Sequence, residues 1–429
     1  MPIPLLQQLR SASAQDVVGD IQAGLQVAML DIPQGMAYAA IAGLPLHYGT
    51  MCSAVAATVG ACLGPSRWLM LGPTNGTALL TFSFFAAHPR LDRQSLMPLL
   101  VATVGGLLLI AAATRIAGLT RHVSRAAVVG YVGAAAVLII ARQAFSLLGI
   151  VRGSAPSPLS FAPGTLPDEA WHLLHGLSAA DCQSITVGLG TIAVWLLFLR
   201  LRPSWPGLVL TLIVVSAVVA VLNRGGWHVP THATVATSLT DLLPPRPDLL
   251  APTLAADLTS LAPGAFAIAC LALVETTSMT RFYAEHESSR AAPQVAALGT
   301  ANIACAFLAG MPCSGSLTRT VLNHQSGART SVAALCNGLC CAVAAVALGR
   351  FVGYLPRAAL ASMITVVAVQ LLRGPAFRRW RAGSPRETVA CLSTFAATCL
   401  LPLHQAVLLA VLVGGVSSLA TGGEAACKS

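Results

Sequence analysis

An all-α integral membrane fold, with fourteen transmembrane segments in two inverted halves of seven, is the architecture this sequence predicts. Three observations carry it: a very apolar composition, a series of long apolar runs, and a strong bias of arginine to one side of those runs. The 429 residues are 55% hydrophobic and only 9% charged, with a mean hydropathy of +0.75. Soluble domains carry about 25% charged residues. Each crossing needs roughly 20 mostly apolar residues, so a chain of this length accommodates about a dozen.

The runs fall at 21–41, 48–63, 73–87, 96–114, 126–148, 183–201, 206–222, 261–280, 293–310, 317–326, 331–349, 356–372, 387–401 and 403–420. Before the first, Arg10 is the only cation and Asp16 and Asp20 lie next to the run. That pattern reads as the start of a mature first helix, not a cleaved leader. The polar stretches 150–182 and 223–260, rich in Pro, Asp and His, read as external loops. The runs opening at 73 and 317 are short and begin on Pro or Gly turns. They are the third and tenth, equivalent places in two halves of seven. Paired interrupted helices at matching positions point to a midplane substrate site in inverted-repeat transporters, because free N–H groups at that depth are tolerated only beside a cavity or ligand.

Charge sidedness supports the same count. With the N-terminus inside, 16 Lys and Arg residues fall on inner segments and 7 on outer ones, leaving Arg142 and Arg319 in the membrane. The positive-inside rule then places both termini in the cytoplasm. No basic run is interleaved with aromatics, which argues against nucleic acid as a partner. The 12 cysteines are scattered through apolar runs. Cys336, Cys340 and Cys341 lack His partners at metal spacing and read as small packing residues. His88, His172, His228 and His232 sit in loops without a nucleophile or metal pattern, so neither an enzyme, a cofactor nor a metal site is expected.

The polar residues left inside the runs are the candidates for function. Pro33 kinks the first helix and frees a carbonyl. Gln34 and Tyr38, four residues apart, share a face that offers an amide and an aromatic wall. Asp31 reads as a proton site, a snorkelling carboxylate or the partner of an arginine. Gly72-Pro73-Thr74-Asn75 suits a helix start, with hydroxyls aimed at free amides. Glu275 is an intramembrane carboxylate, and desolvation and nearby cations together set such a group's proton affinity. A Glu275 beside Arg319 therefore links proton to anion, or else is a static ion pair closing the site. Arg319 follows Ser316, Leu317 and Thr318 at the start of the tenth run, and a cation beside a helix N-terminus makes an anion site. Arg142 reads as snorkelling, and Asn302 and Asn323 as interhelical hydrogen-bonders.

At these residues the chain resembles the SulP family, the sulfate permeases and the related animal solute carrier family 26 anion transporters. The resemblance lies in Ala23-Gly24-Leu25 with Ile32-Pro33-Gln34-Gly35-Met36-Ala37-Tyr38-Ala39, and in Ala42-Gly43-Leu44-Pro45. Pro45 to Arg67 is similar to the family signature, with Thr50, Met51 and Pro65 departing from it. Further matches are Leu71-Gly72-Pro73-Thr74, Gly130-Tyr131 to Gln143, Leu148-Gly149-Ile150, Glu275 and Ala301-Asn302-Ile303. Gly315-Ser316-Leu317-Thr318-Arg319-Thr320, Gly327-Ala328-Arg329-Thr330 and Leu355-Pro356 complete the set.

The resemblance implies a uracil-permease-like fold with a core domain moving as an elevator against a gate domain. Residues 1–122 and 261–352 would form the core, 123–260 and 353–420 the gate, and 421–429 a short cytoplasmic tail without the family's usual STAS domain. It also implies an anion site of Gln34, Tyr38, Thr74, Asn75, Ser316, Leu317, Thr318 and Arg319, with Glu275 serving the coupling ion. Gln294 stands where the family often has Glu.

The expected function is secondary active, proton-coupled uptake of sulfate or another small inorganic or carboxylate anion. It would take place in a plasma (bacterial inner) membrane, with the lipid bilayer and, as a homodimer, a second copy of the chain among the expected partners. Sodium-coupled bicarbonate transport and a non-transporting anion-binding scaffold are the alternatives. A nucleobase carrier shares the fold, but Arg319 argues for an anion.

Overall fold

The computed structural model describes residues 4–114, 125–150, 165–201, 207–232, 243–245, 253–282, 291–349, 351–373, 385–401 and 405–406. Fifteen helices occur among them: α1 Pro4–Ser11, α2 Ala14–Ala42, α3 Leu46–Leu63, α4 Asn75–Ala87, α5 Arg93–Ala113, α6 Arg125–Leu147, α7 Leu166–Gly176, α8 Cys182–Leu201, α9 Gly207–Arg224, α10 Leu254–Phe282, α11 Ala291–Leu308, α12 Leu317–Gln325, α13 Val332–Leu348, α14 Arg357–Leu372 and α15 Pro385–Leu400. The first thirteen apolar runs coincide with α2–α6 and α8–α15. The run at 403–420 lies almost wholly outside the described residues. Among those described, seven helices are long and apolar enough to cross a membrane, while α4 has 13 residues and α12 only 9.

Local chemistry sets the helix limits. Ser13 and Asp16 form a reciprocal capping box at the start of α2, which runs 29 residues through Pro33 and stops at Gly43 in the left-handed region, φ 71°. Helices α2, α3, α5, α10, α11 and α13 pack on one another as one body; α6, α8, α9, α14 and α15 make a second. Small residues let helices of the first body approach closely. A Cβ on Gly49 of α3 would lie 1.7 Å from the Gly35 carbonyl oxygen of α2, so this crossing requires glycine.

The start of α2 is tied to the turn that precedes α13. Asp20, fully buried, accepts the Arg329 N–H at 2.6 Å, the Thr330 N–H at 3.2 Å and the Thr330 hydroxyl at 2.5 Å. Asp20→Ala strands those donors and is expected to cost about 1–3 kcal/mol, read as a lower Tm in detergent. Beside it, at the surface, Asp16 meets Arg329 at 2.5 Å. The Ser13 amide, then the Ser13 hydroxyl, then Arg329 hold the Asp16 carboxyl down at about 2, below its ordinary 3.8. A depressed carboxylate stabilises the fold above its unfolded value, so this contribution is complete above about pH 4 and fades as the pH falls through 2.

Three expectations change. The fold is not purely helical: Leu71–Gly72 (β1) and Ser314–Gly315 (β2) pair antiparallel, Leu71 opposite Gly315 and Gly72 opposite Ser314. The stretch 150–182 is not only loop, since it carries α7, whose Asp168 and Glu169 are buried. Arg142 does not snorkel. It donates to Glu169 at 3.0 Å and stacks over the Phe82 ring at 3.7 Å, so its charge is satisfied inside the protein.

Candidate functional site

Residues Leu71–Gly72 and Ser314–Gly315 each run straight into a helix start, so the strand pair brings together the N-termini of α4 and α12. Thr74 caps α4: its hydroxyl accepts the Thr77 N–H at 3.3 Å, and the Thr77 hydroxyl accepts the Thr74 N–H at 3.1 Å. Ser316 caps α12, accepting from Arg319 N–H, and its own N–H donates to the Met70 carbonyl at 2.9 Å. The backbone of the β2 approach has side-chain partners. Asn302 of α11 donates to the Cys313 carbonyl at 3.1 Å and accepts the Cys313 N–H at 3.0 Å. Thr276 of α10 accepts the Gly315 N–H at 2.9 Å. Buried irregular backbone at this depth is sustainable only with such partners.

Arg319 lies at the centre and is fully buried. Its Nη1 donates to Asp31 Oδ1 at 2.5 Å and to Ser53 Oγ at 3.2 Å, and its Nη2 to the Pro73 carbonyl at 2.5 Å. Asp31 is equally buried. It accepts the Ser53 hydroxyl at 2.7 Å and the Asn337 amide at 2.9 Å. Of the two readings of Glu275, the static ion pair with Arg319 is not formed: Asp31 of α2 is the carboxylate that meets the guanidinium. Of the three readings of Asp31, the arginine partner is the one the geometry takes. These are charge-assisted bonds, the strong class.

Because Arg319 reaches across to Pro73, it also pins the start of α4 from α12. Gly72 makes room for it, since a Cβ there would sit 2.4 Å from Arg319 Nη1. Gly72→Ala is expected to push the guanidinium off the Pro73 carbonyl at a cost of about 1–3 kcal/mol, detectable as a drop in Tm.

Glu275 of α10 accepts the Thr74 hydroxyl at 3.0 Å and feels Ser314 and Arg319. The same Thr74 that caps α4 thus reads the charge of Glu275. Gln34, Tyr38 and Asn75, with Pro33 and Ala37, line one wall of a cleft of about 10 Å³, faced by Leu208, Leu360, Met363, Ile364 and Val367 from α9 and α14. That is room for about one water. The Gln34 amide oxygen is buried there without a protein partner. Leu317 and Thr318 occupy the exposed side of α12 and do not line this cleft, whereas Ser316 is buried. The site residues expected from sequence therefore divide in two: Gln34, Tyr38 and Asn75 at the cleft, and Thr74, Ser316, Arg319 and Glu275 around the strand pair.

Ser53 and Asn337 belong to the site although sequence reasoning did not select them. Asn337 is a lone amide within the apolar run 331–349, the same signal that selected Asn302. Asn323 does bond between elements, donating to the Trp68 carbonyl at 3.1 Å. Gln294 accepts the Ser66 N–H at 3.3 Å. Among the described residues no cluster of His, Cys, Asp and Glu suits a metal ion.

The model of the sulfate permease family matches residues 17–394. A probable sulfate transporter of Mycobacterium tuberculosis is 29% identical over 414 residues, covering 95% of this chain and 71% of that protein. Human solute carrier family 26 member 6 is 26% identical, covering 96% of this chain and 56% of that protein, so the chain spans little more than half its length. In fold, the chain resembles a murine solute carrier 26 anion transporter, member A9, in an inward-facing state. The TM-score is 0.81 at 17% identity, with 98% of this chain and 71% of that one covered. It also resembles the transmembrane domain of a cyanobacterial bicarbonate transporter, with a TM-score of 0.78 at 16% identity and 95% and 98% covered. An apolar helical protein with two capped half-helices meeting on a strand pair, matched over most of its length by that family model, is an integral membrane transporter, and the chain belongs to the sulfate permease family.

Proposed function

We propose that the protein takes up sulfate or a similar small anion together with a proton, by an elevator-type movement of one helical body against the other. The observation that carries this reading is the meeting of the Thr74 and Ser316 helix starts on one strand pair, beside the Arg319 guanidinium. Free N–H groups and the positive dipole ends of α4 and α12 favour an anion there. In this reading fourteen segments form a 7+7 repeat with both termini in the cytoplasm. Residues 1–122 and 261–352 make the moving core, and 123–260 and 353–420 the gate. The cleft at Gln34, Tyr38 and Asn75 lies against α9 and α14, which is where a sliding boundary would carry cargo.

Gln34 and Thr74 orient the anion, and Tyr38, Asn75 and Ser316 wall it, while Leu317 and Thr318, on the exposed side of α12, drop out of the set. Arg319 supplies positive potential, and Glu275 takes the proton. Through Thr74, protonation of Glu275 is felt at the helix start that holds the anion, which couples the two.

A second reading, sodium-coupled bicarbonate uptake, is favoured by the oxygen set of Glu275, Thr74 and Ser314, since hard cations take oxygen ligands. Uptake in proteoliposomes of sulfate, bicarbonate, chloride and dicarboxylates, with and without sodium, decides between them. Sulfate uptake indifferent to sodium supports the proton reading. Bicarbonate uptake that requires sodium and ignores pH supports the second. Binding without flux identifies a non-transporting anion-binding scaffold.

A further inference from the structure

Arg319 is not available to a cargo as a free cation, because a carboxylate is built in against it. We propose that Asp31 is an internal counter-anion that sets the charge the cargo can carry: by neutralising Arg319 it tunes the site toward singly charged anions, or toward a dianion that arrives with a proton. This inference rests on the anion-site reading above and deepens it.

The pair is placed by four elements. Arg319 comes from α12 and Asp31 from α2. Ser53 of α3 bonds both partners, and Asn337 of α13 holds the second oxygen of Asp31. Both charged side chains are wholly shielded from solvent, so water does not screen what they do to each other or to a neighbouring ion. The other titratable groups facing Asp31 are Tyr38 on its own helix, Cys52 of α3 and Cys341 of α13. Glu275 of α10 is a second carboxylate within the reach of Arg319.

The charges therefore balance as follows. With Asp31 and Glu275 ionised, the three groups sum to minus one, and to zero when Glu275 holds a proton. Removing the Asp31 charge adds one positive charge to the site. That change acts on a dianion with twice the energy it exerts on a monoanion at the same place. Arg319 Nε, buried without a protein partner, is one donor that a cargo engages directly once Asp31 no longer holds the head group.

The test is competition of radiolabelled sulfate by chloride on the purified full chain in nanodiscs. It is run at one pH and at constant ionic strength with gluconate as the balancing salt, and paired with the Tm rise each anion gives. In Asp31→Asn, sulfate and chloride should both bind more tightly, with the fold-gain for sulfate about the square of that for chloride, and sulfate should raise the Tm more than in the wild type. An unchanged or lowered ratio of sulfate to chloride affinity overturns the proposal.

The double variant Asp31→Asn/Arg319→Gln keeps the site charge, so the ratio should return to within about threefold of the wild type. This arm holds even if Asp31→Asn alone does not fold. Loss of sulfate relative to chloride in the double variant means that Arg319 acts as an uncompensated cation, which also overturns the proposal. A wild-type protein that binds neither anion refutes the underlying site reading instead, so the two failures are distinguishable.

Discussion

Truncating Arg319 to alanine is expected to destabilise the protein by about 3–5 kcal/mol, the cost of leaving a buried carboxylate without its partner, and to abolish the stabilisation that sulfate confers. Three contacts are lost together: the Asp31 pair, the Ser53 hydroxyl and the Pro73 carbonyl. The last of these joins the two half-helices. Its loss lets the α4 start move relative to α12, so the anion loses a preformed site as well as a positive charge. Thermal unfolding in detergent, with and without sulfate, reads both effects. Removing both members of the pair as Asp31→Asn/Arg319→Gln should recover most of the lost stability, because no lone buried charge remains. If Arg319→Ala unfolds at the wild-type temperature and still binds sulfate, the site lies elsewhere.

Glu275→Gln carries the second large effect. Glutamine keeps the shape of the side chain and still accepts from the Thr74 hydroxyl, which stands 3.0 Å from the wild-type carboxylate. Sulfate binding should therefore match, within about threefold, that of the wild type with Glu275 protonated, and should no longer vary with pH. What disappears is the response to a proton gradient. A coupled proton contributes about tenfold in accumulation for each pH unit of gradient, so the variant should equilibrate sulfate without concentrating it. Counterflow exchange of labelled sulfate at equal pH separates this outcome from simple inactivity, since exchange survives when only the coupling is gone.

Much of the architecture could be read from the chain because bilayer helices are long and apolar, and thirteen of the runs coincide with helices. The pairing of Leu71–Gly72 with Ser314–Gly315 was out of reach, for strands of two residues leave no alternation to detect. Helix α7 was missed because Leu166–Gly176 is short and carries Asp168, Glu169 and two His residues inside a Pro-rich polar stretch. Within the site, Gln34, Thr74 and Arg319 announced themselves as polar residues at a kink or a helix start. The partner of Arg319 did not. Asp31 and Glu275 were both eligible carboxylates, and only the fold brings residues 288 apart in sequence to 2.5 Å. Ser53 was hidden for a different reason: a serine in an apolar helix ordinarily bonds its own backbone, and nothing local marks one that bonds a charged pair instead.

The most direct test of the account is sulfate uptake by the wild-type protein in sodium-free proteoliposomes, with the outside made one pH unit more acidic than the inside and the membrane potential clamped. Proton-coupled transport predicts sulfate accumulation inside by about tenfold per coupled proton, collapsing when a protonophore is added. Uptake that reaches the same level with or without the gradient would contradict it.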